Sequence, residues 1–235
     1  MSRLLSLVLI VGVALTAACA RSERDDRAGE ADPRPEDRRE GAASNAPLNR
    51  PRVVFLGDSL TAGYGLASKE QSVPALIQKR LDAEGYNYEV VNHGVSGDTS
   101  AGGVSRLEWA LSGDVRVLVL ELGANDGLRG VPVESMKANL AAIISGAKKR
   151  GVRVLLTGME APPNHGPVYT AEFRQAFRDL AREHDVAFVP FYLEGVAGNP
   201  ALNLADGIHP NVDGTAIVER TVWQELAPLL EKSTR

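Results

Sequence analysis

The chain has 235 residues, 44% of them apolar, enough for a substantial core in one or two domains. Its 26 Lys plus Arg against 30 Asp plus Glu give a formal net charge of -4, without the clustered basic excess that nucleic-acid binding requires. The single cysteine, Cys19, excludes an intrachain disulfide and any multi-cysteine metal site.

Arg3 precedes an uncharged apolar run over residues 4–15. A membrane-spanning helix needs roughly 20 apolar residues, so this run suits the core of a signal peptide instead. Residues 1–20 are therefore expected to direct export, to the periplasm. Two kinds of processing fit the small residues that follow. Ala18-Cys19-Ala20 satisfies the small-x-small rule of ordinary cleavage and would release a soluble protein. Leu15-Thr16-Ala17-Ala18-Cys19 resembles a bacterial lipobox, with Thr16 where leucine is usual, and would tether the protein to a membrane through a lipidated Cys19. Half of residues 21–50 are charged, with the signs interleaved, and apart from alanines the only aliphatic side chain is Leu48. Such a segment buries too little to offset the entropy of ordering and is expected to be a flexible linker.

From Pro51 onward strand and helix signals alternate. Apolar runs of strand length occur at 53–56, 88–91, 115–120, 152–156 and 186–189. Helical spacing appears near 73–84, over 133–149 (Val133, Met136, Leu140, Ile143, Ile144, Ala147), near 171–183, and from Asp213 or Gly214 to about Leu230. Short apolar strands separated by helices predict an α/β fold with a five-stranded parallel sheet covered on both faces, a flavodoxin-like three-layer sandwich over residues 51–235.

Each of four loops that follow strands carries a polar cluster: Gly57-Asp58-Ser59-Leu60; Asn92-His93-Gly94-Val95-Ser96-Gly97-Asp98-Thr99; Gly123-Ala124-Asn125-Asp126-Gly127; and Asp206-Gly207-Ile208-His209-Pro210. In a parallel sheet these strand ends share one edge, so the four clusters can meet in one crevice. Taken singly, each also reads as ordinary turn chemistry, and Thr61 departs from the Gly-x-Ser-x-Gly elbow. A serine hydroxyl needs an adjacent base to become a nucleophile. His209 is the candidate base for Ser59, and Asp206, three residues earlier, the candidate carboxylate that orients it.

In this order the four blocks resemble the signature of the SGNH (GDSL-type) hydrolases. The longer runs Val91-Asn92 through Ser100 and Glu121 through Gly130 are similar to the TesA-like branch of bacterial esterases, thioesterases and lysophospholipases. The resemblance implies a Ser59-His209-Asp206 triad and an oxyanion hole built from the backbone amides of Ser59 and Gly97 and the side-chain amide of Asn125. It implies no metal or organic cofactor and a small-molecule ester as substrate; the chain is expected to act as a monomer. A carbohydrate O-deacetylase of the same fold and a non-catalytic lipid-binding module are the rival readings. Asp58, Asn92, Thr99 and Asp126 are expected to brace the loops through side-chain to backbone hydrogen bonds. Residues 127–132 are expected to form a mobile lip over an acyl pocket, with Leu128 and Arg129 as lining. His165, in the loop after the fourth strand, reads as an exposed loop residue or as a further part of that lining. His93 and His184 read as structural or solvated.

Overall fold

The computed structural model describes residues 50–232. The expected leader, Cys19 and almost all of the expected linker lie outside the described residues. Five strands, β1 (Arg52–Gly57), β2 (Glu89–Gly94), β3 (Val115–Glu121), β4 (Arg153–Thr157) and β5 (Ala187–Val189), pair in parallel in the order β2-β1-β3-β4-β5. This is the flavodoxin-like order, with its reversal at β1. Every side chain of β1 from Val53 to Leu56, and of β3 from Val117 to Leu120, is buried. Such strands need cover on both faces, and their continuous Val/Leu runs reflect it.

The cover comes from five long helices. Helices α3 (Ser100–Ala110), α5 (Val133–Lys149) and α6 (Pro167–His184) pack together in one layer, and α2 (Val73–Ala83) and α7 (Val212–Leu226) in the other. Two shorter helices, α1 (Ser59–Ala62) and α4 (Ala124–Arg129), directly follow β1 and β3. On α5 the residues read as a helical stripe, Val133, Met136, Leu140, Ile143, Ile144 and Ala147, are all buried. The α2/α7 pair is joined by a two-pronged contact, Arg80 Nε to Glu219 Oε1 at 2.6 Å and Arg80 Nη2 to Glu219 Oε2 at 2.8 Å. Trp223 lies under the same guanidinium at 5.4 Å.

Three elements differ from the sequence expectation. Helix α3 was not anticipated because its sequence, SAGGVSRLEWA, carries two adjacent glycines and few apolar side chains. It forms because Thr99 caps it, accepting from the Gly102 amide, and because Gly103 lets Leu122 and Ile143 approach closely. Helix α6 begins at Pro167, four residues earlier than expected, with proline at its first position where no amide is needed. Residues 124–129, read as part of a loop and lip, are helical: Gly127 is buried against Phe173 and Ala161, and Gly130 closes α4 in the left-handed conformation at φ 62°. Of the expected lip, residues 127–129 are the last turn of this helix and Gly130 is its cap.

The register sets the site. Gly57 at the end of β1 pairs with Gly94 of β2 on one side and Glu121 of β3 on the other, so three strands stop at one level. A Cβ on Gly57 would lie 2.0 Å from Thr61 Oγ1, and one on Gly94 would lie 2.2 Å from the Ala62 amide nitrogen. Both glycines are needed for α1 to fold back over the strand ends.

Leu140 is fully buried on α5. Leu140→Ala is expected to cost about 2–5 kcal/mol, seen as a lower urea midpoint at unchanged denaturant slope.

Candidate functional site

Beyond β1 the chain turns at Asp58, whose Oδ1 accepts from the Leu60 amide at 3.0 Å and so starts α1. This places Ser59 at the first helical position, directly above the strand ends. Its partner comes from the loop before α7. That loop is folded on itself by an antiparallel bridge between Asn203 and Pro210 and by the Leu204 amide donating to the His209 carbonyl at 2.8 Å. Asn211 caps α7 through the Gly214 amide, and Gly214 has no side chain to strike the Leu202 carbonyl, which a Cβ would meet at 2.1 Å.

Within the loop, Asp206 Oδ1 accepts from the amides of Ile208 at 2.9 Å and His209 at 3.0 Å. Asp206 Oδ2 lies 2.7 Å from His209 Nδ1, and His209 Nε2 lies 2.9 Å from Ser59 Oγ. A carboxylate only accepts, so the imidazole proton belongs on Nδ1 and the Nε2 lone pair faces the serine hydroxyl. The Tyr64 ring lies against the imidazole, centroids 4.7 Å apart. The backbone amides of His209 and Ile208, followed by the imidazole itself, hold the Asp206 carboxyl down at about 2. Asp206 is thus a carboxylate throughout the neutral range, as the orienter of a histidine must be.

The remaining loops close on the same point. Asn125 Nδ2 donates to Asp58 Oδ2 at 3.0 Å, which leaves the second N–H of that amide without a bond to protein among the described residues. The Ser59 amide, at the start of a helix, and the Gly97 amide likewise make no hydrogen bond among the described residues. Arg129 Nη2 donates to the Gly97 carbonyl at 2.8 Å, bridging α4 to the loop after β2. The four residues expected as braces all act so. Asp58 caps α1, Asn92 donates to the Thr61 carbonyl at 3.0 Å, Thr99 caps α3, and Asp126 accepts from the Ser100 amide at 2.8 Å and hydroxyl at 2.6 Å.

The pocket candidates fare differently. A small cavity of about 10 Å³ beside Ser59 and His209 is lined by Tyr64, Leu66, Val73, Tyr192 and Pro210, and by none of Leu128, Arg129 and His165. Leu128 is exposed on α4, Arg129 is committed to Gly97, and His165 packs over Gly130 and the Tyr169 ring, 5.2 Å away. A larger cavity, about 530 Å³, lies beside β2 and α2 among Lys69, Ser72, Gln78 and Val90, and contains none of Ser59, Asp206 and His209. The His93 ring lies tilted against Trp109, centroids 4.1 Å apart, and His184 is the last residue of α6.

Sequence reading missed two residues that shape the site. Arg106 pairs with Asp98 at 2.7 Å and donates to the carbonyls of His93 at 2.6 Å and Gly57 at 2.8 Å, stapling the ends of β1 and β2 to α3. Nothing announced it, since α3 itself carried no helical signal. Glu121 sits fully buried under α1. Its signal was present, a lone acid within the apolar run 117–122.

Residues 55–217 match the model of the GDSL-like lipase/acylhydrolase family. The chain belongs to this family. The acylhydrolase is 45% identical over 179 residues to "Esterase TesA" of Pseudomonas aeruginosa PAO1, an alignment covering 76% of this chain and 89% of that one. It is 39% identical over 176 residues to an arylesterase of Vibrio mimicus, covering 74% and 88%. Among solved structures, the crystal structure of TesA superposes on the acylhydrolase with a TM-score of 0.73 at 43% identity, covering 76% of this chain and 99% of that one.

Because the Asp206 carboxyl lies below its ordinary value of about 4, its bonds stabilise the fold above that pH, and the contribution is lost as pH falls toward about 2. Asp206→Asn is expected to flatten the acid limb of stability in this window, checked by urea midpoints measured between these pH values for both proteins.

Proposed function

We propose that this carboxylic ester hydrolase cleaves aryl and alkyl esters by acyl transfer through Ser59. The observation that carries the reading is the unbroken chain from Ser59 Oγ through His209 to Asp206, with bonds of 2.9 and 2.7 Å. Ser59 Oγ attacks the ester carbonyl carbon as His209 Nε2 takes its proton, and Asp206 stabilises the imidazolium that results. The tetrahedral oxyanion is met by the amides of Ser59 and Gly97 and by the free N–H of Asn125. Collapse breaks the bond to the alkoxy or aryloxy group, His209 returns the proton to it, and the alcohol leaves. Water then repeats the sequence on the acyl-serine, releasing the acid and restoring Ser59.

The surroundings favour apolar esters over acetylated sugars. Tyr64, Val95, Leu128 and Ile208 are all exposed large apolar side chains. Tyr64 touches the imidazole, Ile208 adjoins it in sequence, and Val95 and Leu128 flank the Gly97 and Asn125 loops. A carbohydrate deacetylase needs hydrogen-bonding groups in those places. The small cavity beside Ser59 does not hold an acyl chain, which supports a chain lying over these exposed apolar side chains. Export through residues 1–20, with tethering at Cys19, completes the reading and places the substrate outside the cytoplasm. Growth with labelled palmitate should mark the wild type and not Cys19→Ala; no label on either removes the tether.

Hydrolysis of p-nitrophenyl esters from two to twelve carbons should be abolished by Ser59→Ala and by His209→Ala, and Asn125→Ala should lower kcat about a hundred- to a thousandfold. Activity that survives Ser59→Ala would overturn the reading, and hydrolysis of acetate alone would favour the deacetylase.

A further inference from the structure

Beneath α1 lies a polar cluster that the acyl-transfer steps do not use. Glu121 Oε2 accepts from the Thr61 hydroxyl at 2.8 Å and from the Asp58 amide at 3.3 Å, and Oε1 is buried with no partner among the described residues. The Tyr192 hydroxyl is likewise buried without a partner. Asp58, also fully buried, divides its carboxylate between the Leu60 amide and the Asn125 side chain. An apolar residue at the end of β3 would suit the surrounding core better, but it would leave a buried hydroxyl and a buried amide unpaired.

The groups around Glu121 supply no compensating positive charge. Asp58 faces it from the turn before α1, and the Tyr192 phenol from the loop after β5. Arg106 of α3 reaches the Gly57 carbonyl, but its nitrogens are occupied by Asp98 and by two carbonyls. Burial pushes the Asp58 carboxyl up to about 6, with the Leu60 amide and then the Asn125 side chain pulling against it, so at neutral pH it is the more readily ionised of the two carboxyls. Burial, and then the neighbouring Asp58, push the Glu121 carboxyl well above the ordinary carboxylate range. Two carboxyls buried in one site do not both ionise.

Resting on the Ser59 reading above, we propose that Glu121 is a positioning residue for ester hydrolysis: through Thr61 and the Asp58 amide it fixes the turn from which Asp58 aims the Asn125 amide at the oxyanion. Glu121 acts as a neutral acid, leaving Asp58 as the carboxylate that the Asn125 amide bonds. It touches neither substrate nor Ser59, and its effect on the reaction passes through Asn125.

A double-mutant cycle on a short aryl ester tests this. Glu121→Ala should lower kcat about tenfold or more with KM within about twofold, while in an Asn125→Ala background the same change should cost less than about threefold, because the group it positions is gone. Glu121→Gln keeps a neutral acceptor for Thr61 and Asp58 and should bring kcat back to within about threefold of wild type. Near-UV circular dichroism verifies the fold of each variant; where Glu121→Ala does not fold, Thr61→Val takes its place in the cycle with the same expectation. Independent, multiplying losses, or a Glu121→Gln as impaired as Glu121→Ala, would overturn the inference. Those failures alongside an inactive Ser59→Ala remove the role of Glu121 alone, whereas an active Ser59→Ala removes the site reading and this one with it.

Discussion

Everything at the site depends on three parallel strands ending at one level and on a single helical turn folding back over them. The register that sets Gly57 beside Gly94 and Glu121 leaves a shelf with no side chain on two of its three positions. Only then can α1 sit close enough for Thr61 to reach Glu121 and for Ser59 to stand clear above. The surrounding bonds serve this arrangement. Arg106 fastens the shelf to α3, Asn92 ties β2 to the Thr61 carbonyl, and Asp126 fastens α4 to α3. None of these groups performs chemistry, yet each removes a freedom that the loops would otherwise have.

The carboxyl groups near Ser59 show how environment assigns roles to identical chemistry. Asp206, partly exposed and holding two backbone amides and an imidazole, stays ionised and can stabilise a cation. Glu121, enclosed by core with one hydroxyl and one weak amide contact, is driven toward the neutral form. Asp58 lies between these extremes, buried like Glu121 but with good donors on both oxygens. Its position next to the nucleophile makes it the link between the core below and the Asn125 amide above.

Much of this was legible in the sequence, for identifiable reasons. Strands buried on both faces leave apolar runs, so the sheet and its class could be read from 53–56 and 115–120. The first three polar blocks stood out because each directly follows such a run, and the spacing of Asp206 and His209 put both on one loop. The illegible parts were those that depend on tertiary context. Helix α3 has poor intrinsic propensity and forms against Leu122 and Ile143, contacts that no local window contains. The glycines of 127–130 suggested mobility, but Gly127 is small because Phe173 and Ala161 pack onto it. Arg129 was read as pocket lining and His165 as an exposed loop residue or further lining from their neighbours in sequence alone; only the fold shows that Arg129 donates to the Gly97 carbonyl and that the His165 ring lies tilted against Tyr169.

The two halves of the proposed catalytic set come from opposite ends of the domain. Ser59 follows the first strand, and the residue that activates it lies 150 positions later, after the last. Loop-closure entropy of that magnitude is overcome only when the intervening strands have paired and both helical layers have docked. A nascent or truncated chain therefore carries a serine of ordinary reactivity, inert toward esters around it. On the proposed reading, hydrolysis needs the turn after β1 and the loop before α7 both in place, so turnover reports the fraction of molecules that have finished folding.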